Sequence, residues 1–310
     1  MTTSSLPPSG WQRLFRGPDG LRAGWAVALF FVILAVVVAV LDHIAYLLHY
    51  PLQPHGALTP THMLVTEAML CFGALVATLC MARIDKRAWT SYGLRSRRGW
   101  AHFGQGALCG LLVLAAVMGV LWLSHAASIT FSGAGAWSLV RSGVVWALAF
   151  CLVAATEELT FRGFVFFRLS HALKPVAAAV VASILFACAH LSNHGESLAG
   201  LIQVAAFGLV ACLAVWRTGS LWWAMGLHAA WDWSETFLFG TADSGLAATG
   251  HLLTSQPVGP VWLSGGTVGP EGSVIVFPAL LVVALVIVWT LPRTQGSSTA
   301  TSGNRARGGA

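Results

Sequence analysis

The chain has 310 residues, of which 56% are hydrophobic and 9% charged, with a net charge of +6 and a mean hydropathy of +0.74. A charged fraction this far below the roughly 25% of soluble domains excludes an ordinary soluble protein and indicates a polytopic membrane protein. The basic balance does not point to nucleic acid, because the Lys and Arg residues sit in short segments between apolar runs, where they report membrane orientation.

Segment 1–22 is polar and carries Arg13, Arg16 and Arg22. The apolar run after it is too long for a signal-peptide core and lacks a small-residue cleavage site, so it is expected to remain as the first span. A span needs about 20 apolar residues to cross a ~30 Å hydrocarbon layer. Eight segments meet or approach that length: Ala23 to Leu48, Met63 to Ala82, Phe103 to Ser124, Leu139 to Leu169, Val176 to Leu191, Leu198 to Trp216, Leu221 to Phe239 and Val274 to Leu291. They are apolar all round rather than alternating, and lipid offers no partner to an unpaired backbone group, so the expected fold is an all-α transmembrane bundle. Gly106 and Gly110 give the third span a small-xxx-small face for close helix packing. The cysteines, Cys71, Cys80, Cys109, Cys151, Cys188 and Cys212, occur singly with no CxxC pair, which suits packing rather than disulfides or a zinc knuckle.

Arg83, Lys86, Arg87, Arg95, Arg97, Arg98, Arg168, Lys174, Arg217, Arg293, Arg305 and Arg307 all fall on the same side as the N-terminal arginines, with Arg141 as the clear exception. The positive-inside rule then places both termini in the cytoplasm and the 241–272 loop outside. The expected organisation is a cytoplasmic segment 1–22, N-terminal helices over 23–135, a core over 136–240, an external loop and last helix over 241–292, and a tail over 293–310. The tail is poor in apolar residues and is expected to be disordered. It ends without a CaaX box, so the chain is not expected to be a prenylation substrate.

Ionisable groups inside spans are costly and therefore functional candidates. Glu157, Glu158 and Arg162 close the fourth run. Glu158 and Arg162 stand at i and i+4 in the favourable order for an ion pair, which leaves Glu157 about 100° away on the helix as an unpaired acid in a poorly solvated place. Such an acid suits a general base, whereas a cytoplasmic surface salt bridge is the plain alternative. FACAH, Phe186 to His190, ends the fifth run, and His190 with His194 at i+4 could hold a metal, although a lone structural histidine is the simpler reading. GLHAAWDW puts His228 and Asp232 on one face, where the acid can fix the imidazole tautomer. Glu235, Glu67, Asp42 and His43 read as structural polar residues. A carboxylate and two imidazoles on three spans have the parts to activate water against an amide, and also the parts to bind zinc.

These three motifs, EExxxR at Glu157 to Arg162, FxxxH at Phe186 to His190 and HxxxD at His228 to Asp232, resemble in order those of the CPBP family, the intramembrane CAAX prenyl endopeptidases and bacteriocin-processing or bacteriocin-immunity proteins. The resemblance covers about residues 140 to 240. It implies a bundle of about eight spans with a conical cavity open to the cytoplasm, in a bacterial plasma membrane, and cleavage of a peptide bond in a membrane-anchored or lipid-modified protein. By the same resemblance Glu157 and His190 activate water, Glu158 and Arg162 support them, and His228 with Asp232 meets the oxyanion. Asp232 departs from the Asn of prenyl-processing members, and an ionised Asp donates no hydrogen bond. It is then protonated, or orients His228, or joins Glu157, His190 and His228 as zinc ligands. A binding or immunity protein without catalysis and an ion-coupled transporter are the competing functions. Counted at ~1.5 Å per residue, His228 lies ~10 Å and His190 ~22 Å from the cytoplasmic ends of their spans, a mismatch that a tilted or longer fifth helix would close.

Overall fold

The computed structural model describes residues 14–17, 20–50, 57–193 and 195–292. Most of the N-terminal segment before Ala23, His194 and the expected disordered tail 293–310 lie outside the described residues. Each of the eight apolar runs contains one long helix. We label them α1 (Ala23–Leu47), α2 (Pro60–Ile84), α3 (Gly99–Leu123), α4 (Ala136–Glu157), α5 (Pro175–Ala189), α6 (Leu198–Thr218), α7 (Trp222–Trp233) and α8 (Val276–Thr290). α4 runs on through a π-helical segment, Glu158–Val165, to Ser170, giving a 35-residue rod. α7 likewise continues as π-helix over Ser234–Phe239.

Local chemistry sets the helix ends. Thr59 caps α2 by accepting from the His62 N–H, with Pro60 in the first turn where its missing donor costs nothing. Pro175 opens α5 in the same way. Ser197 caps α6 at the Gly200 N–H, and Gly219, at φ 65°, ends it in the left-handed conformation.

Among the described residues six helical units, α1 to α6 with α4 extended to Ser170 and α5 continued to Ser192, are long and apolar enough to cross a membrane. α7 and α8 are shorter, with 12 and 15 regular residues. α7 sits inside the bundle with most of its residues buried, while Val32, Val36 and Val40 on α1 turn an exposed apolar stripe outward, as lipid contact requires.

The closest helix contact is between α3 and α7. A Cβ at Gly106 would stand 2.1 Å from the Trp223 carbonyl oxygen, and one at Gly110 2.4 Å from that of Leu227. The small-residue face read from sequence is therefore the face that lets α3 lie backbone to backbone on α7.

One end of the bundle, the basic end, gathers the 84–99, 170–175 and 218–222 connections. There Arg168 pairs with Asp85 at 3.5 Å, and Trp222 Nε1–H bonds to the Leu94 carbonyl at 2.9 Å. The opposite end, the loop end, carries a feature the all-α reading does not contain. Strands β1 (Ala127–Phe131) and β2 (Leu253–Pro257) pair antiparallel, Ala127 opposite Pro257 and Phe131 opposite Leu253. They tie the long 241–272 connection to the α3–α4 connection.

Candidate active site

Where α4 passes Glu158 its helix widens: Phe166 N–H bonds to the Phe161 carbonyl five residues back, and all eight residues Glu158–Val165 are buried. Such π segments shift side-chain register and recur at functional sites. Here the shift turns both Glu158 and Arg162 inward. Their ion pair, Nη1 to Oε1 at 3.2 Å, forms between two side chains that are 0% exposed. Room for the guanidinium comes from Gly208 on α6, where a Cβ would lie 3.1 Å from Nη2. Its carbon sits 4.0 Å from the centre of the Phe186 ring, a cation–π contact in a desolvated place.

His228 on α7 links the parts. Its Nδ1 is 2.9 Å from Glu158 Oε1, and its Nε2 faces Glu157 Oε2 at 3.4 Å and Asp232 Oδ2 at 3.5 Å. Phe207 and Phe186 close on the ring edge to face at 5.1 and 6.1 Å. A neutral imidazole donates from one nitrogen only. With Nδ1–H given to Glu158, Nε2 is the ring atom left facing Glu157 and Asp232, and Glu157 Oε2 has no hydrogen-bond partner of its own. Arg162, Glu158, His228 and Glu157 thus form a polar chain across α4 and α7 that reaches the cavity at His228 and at Glu157, whose side chain is 25% exposed.

His190 closes α5 and lines the same cavity, of about 190 Å³, as Glu157, His228 and Asp232. Its Nδ1 lies 3.0 Å from the Phe186 carbonyl; among the described residues no hydrogen bond or ion pair joins it to Glu157, His228 or Asp232. The depth mismatch seen in the sequence persists, since α5 does begin at Pro175. Phe186 is level with His228, and His190 stands one turn, about 6 Å, further toward the loop end. The cavity spans both layers.

Zinc on Glu157, His190, His228 and Asp232 would require these side chains to draw closer together than they stand here. These four do not bring their ligand atoms within 4.8 Å of one another; among the described residues Glu235, Asp243 and Glu271 do. His190 and His194 cannot be judged as a pair, because His194 lies outside the described residues.

The cavity extends away from the basic end. Leu58, Asp243, Ser244, Leu246, Ala248 and Glu271 form its loop-end wall. There the 241–272 connection folds back over the bundle, with Asn193 donating to the Ser244 carbonyl at 3.1 Å. Burial, and then the Glu271 carboxylate, push the Asp243 carboxyl well above its usual range.

Several cavity residues were not selected from sequence. Glu67 on α2 and Gln203 on α6 line it, and each is a polar interruption of an apolar helix, a signal present in the sequence. Asp243 and Glu271 had no such signal, because a polar loop ordinarily reads as solvated.

Residues 139–234 match the family model described as type II CAAX prenyl endopeptidase Rce1-like, the family to which the three motifs are similar. The chain is 26% identical over 177 residues, 54% of its length, to an uncharacterized protein of Bacillus subtilis (strain 168), YyaK, and the match spans 57% of that relative. No solved structure matches the chain.

Proposed function

We propose, from the similarity of residues 139–234 to type II CAAX prenyl endopeptidases, that this integral membrane protein is an intramembrane endopeptidase whose catalytic core lies within 136–240. The observation that carries the reading is the buried chain Arg162, Glu158, His228, Glu157 ending in a carboxylate open to a cavity. A surface salt bridge would not be 0% exposed, and a passive packing residue would not stand opposite an imidazole already held from its other side.

In this mechanism Glu157, with His190 across the cavity, takes a proton from water as the water oxygen bonds to the scissile carbonyl carbon. The carbonyl electron pair moves to oxygen, and the resulting negative charge is met by the His228 N–H. When the C–N bond breaks, the proton on Glu157 passes to the departing amine. Glu158 and Arg162 hold Nδ1 and fix the ring; the N–H that meets the oxyanion is Nε2–H of the doubly protonated ring, beside which Asp232 stands.

The substrate is a membrane-anchored or lipid-modified protein or peptide, and the setting a bacterial plasma membrane with the basic end in the cytoplasm. A binding or immunity role without catalysis is the competing reading. Purified protein in liposomes, incubated with a library of membrane-anchored reporters with and without chelator, tests the two. Cleavage that Glu157→Gln abolishes and chelator leaves intact supports the peptidase. Reporter binding without cleavage supports the binding protein.

A further inference from the structure

A second group of acids lies on the loop-end side of His228. Glu235 in the π-helical end of α7, Asp243 in the following loop and Glu271 in the turn Pro270–Gly272 each bring a carboxylate oxygen within 4.8 Å of the other two. Asp243 and Glu271 are held by the loop itself. Thr236 Oγ1–H bonds to Asp243 Oδ2 at 3.2 Å, and the Ser244 N–H and Oγ–H bond to Glu271 Oε2 at 3.1 and 2.5 Å. Each of these two keeps its other oxygen free of those bonds.

Glu235 is placed differently. It is 0% exposed, comes from a helix rather than the loop, and neither of its oxygens accepts a hydrogen bond of good geometry, the nearby Trp231 Nε1–H being itself unpartnered. Segment 241–272 contains no Lys or Arg to balance the three acids.

An independent observation comes from α6. Gln203 is also 0% exposed, lines the same cavity as Asp243 and Glu271, and has neither amide atom partnered. Three residues before it, the Cβ direction of Gly200 meets Val268 Cγ1 at 2.8 Å, and four residues after it Phe207 lies on His228. Residues three and four apart share a helix face, so Gln203 lies between the loop that carries Glu271 and the His228 layer.

Protons alone satisfy this group poorly. One proton shared between two carboxylates occupies one oxygen of Glu235, leaving the other and the Gln203 carbonyl without a partner in a place where orphan polar atoms are costly. A cation satisfies all of them together. The donors are oxygens only, with no thiolate or imidazole, which selects a hard ion. A cage built wholly from protein oxygens suits calcium, whereas magnesium keeps several of its waters and is seldom held by such a cage.

We infer that Glu235, Asp243 and Glu271, with the Gln203 carbonyl oxygen, form a calcium-type divalent cation site that fastens the 241–272 loop to the end of α7 over the cavity. The site is separate from His228 and does not depend on the peptidase reading.

Full-length protein in detergent, stripped with chelator and dialysed against calcium, magnesium, manganese or zinc in turn, is assayed for bound metal by elemental mass spectrometry and for its thermal midpoint. The expected result is about one calcium per chain, with a midpoint that rises with calcium concentration and responds more weakly to magnesium. Glu235→Gln weakens calcium binding by on the order of tenfold or more. In chelator its midpoint is no lower than that of the wild type, because an unpartnered carboxylate has been removed, and this separates loss of the site from misfolding. Asp243→Asn, which keeps an oxygen for the Thr236 bond, also weakens binding. The inference is overturned if wild-type protein binds none of calcium, magnesium and manganese, if both variants bind calcium as the wild type does, or if zinc displaces calcium at equal concentration.

Discussion

Replacing Glu158 by Gln keeps the shape of the side chain and a hydrogen-bonding oxygen for His228 but removes the charge facing Arg162. The guanidinium is 0% exposed, and among the described residues Glu158 is its ion-pair partner; its N–H groups have no conventional hydrogen-bond acceptor. Removing one partner of a buried pair leaves an uncompensated charge and costs about 3–5 kcal/mol. At roughly 2 °C per kcal/mol for a chain of this size, the thermal midpoint falls by roughly 6–10 °C. Glu157→Gln removes the charge from a side chain that is 25% exposed and faces the His228 ring, so its cost stays within about 1 kcal/mol while turnover is lost. The double variant Glu158→Gln with Arg162→Met removes both charges and recovers most of the stability, since a buried pair is commonly replaceable by apolar packing. Thermal melts in detergent, monitored by tryptophan fluorescence and read beside reporter cleavage, measure all three. Equal destabilisation by Glu157→Gln and Glu158→Gln, or no recovery in the double variant, would refute the division of roles between the two acids.

Gly106→Ala puts a methyl group 2.1 Å from the Trp223 carbonyl oxygen, whereas Gly104→Ala meets nothing within 4 Å. The first is expected to lose about 1–3 kcal/mol or more of stability as α3 and α7 separate, and the second to be neutral or stabilising, read as urea or heat resistance of the purified protein. Asp232→Asn preserves shape and supplies an N–H toward His228, so cleavage is expected to fall modestly or rise, with the acid limb of its pH profile displaced; complete loss of cleavage together with stoichiometric zinc would show a metal ligand instead. For orientation, a membrane-impermeant maleimide applied outside intact cells is expected to label Thr267→Cys at the loop end and to spare Ala88→Cys at the basic end, both exposed positions. The reverse pattern would invert the topology.

Membrane class, the helical bundle and the location of all eight helices follow from the sequence, because a run of about 20 apolar residues has one stable use in a bilayer. The Glu158–Arg162 pair follows too, since i and i+4 neighbours on a helix meet whatever surrounds them, and so does the Gly106 and Gly110 face, whose lack of side chains has meaning only at a close helix contact. Everything that depends on distances between elements was settled by tertiary structure. His228 Nδ1 is held by Glu158, a partner 70 residues away in the chain, and no local spacing encodes that choice. His190 shares the cavity with Glu157 yet stands about one turn further along, because α5 ends where Phe186 already meets the His228 ring. The 241–272 loop, polar and free of Lys and Arg, looks solvated in one dimension. Its pairing of Leu253–Pro257 with Ala127–Phe131 folds it back over the bundle, carrying Asp243 and Glu271 to within 4.8 Å of Glu235. Backbone hydrogen bonds between distant segments, which carry no local sequence signature, brought those acids together.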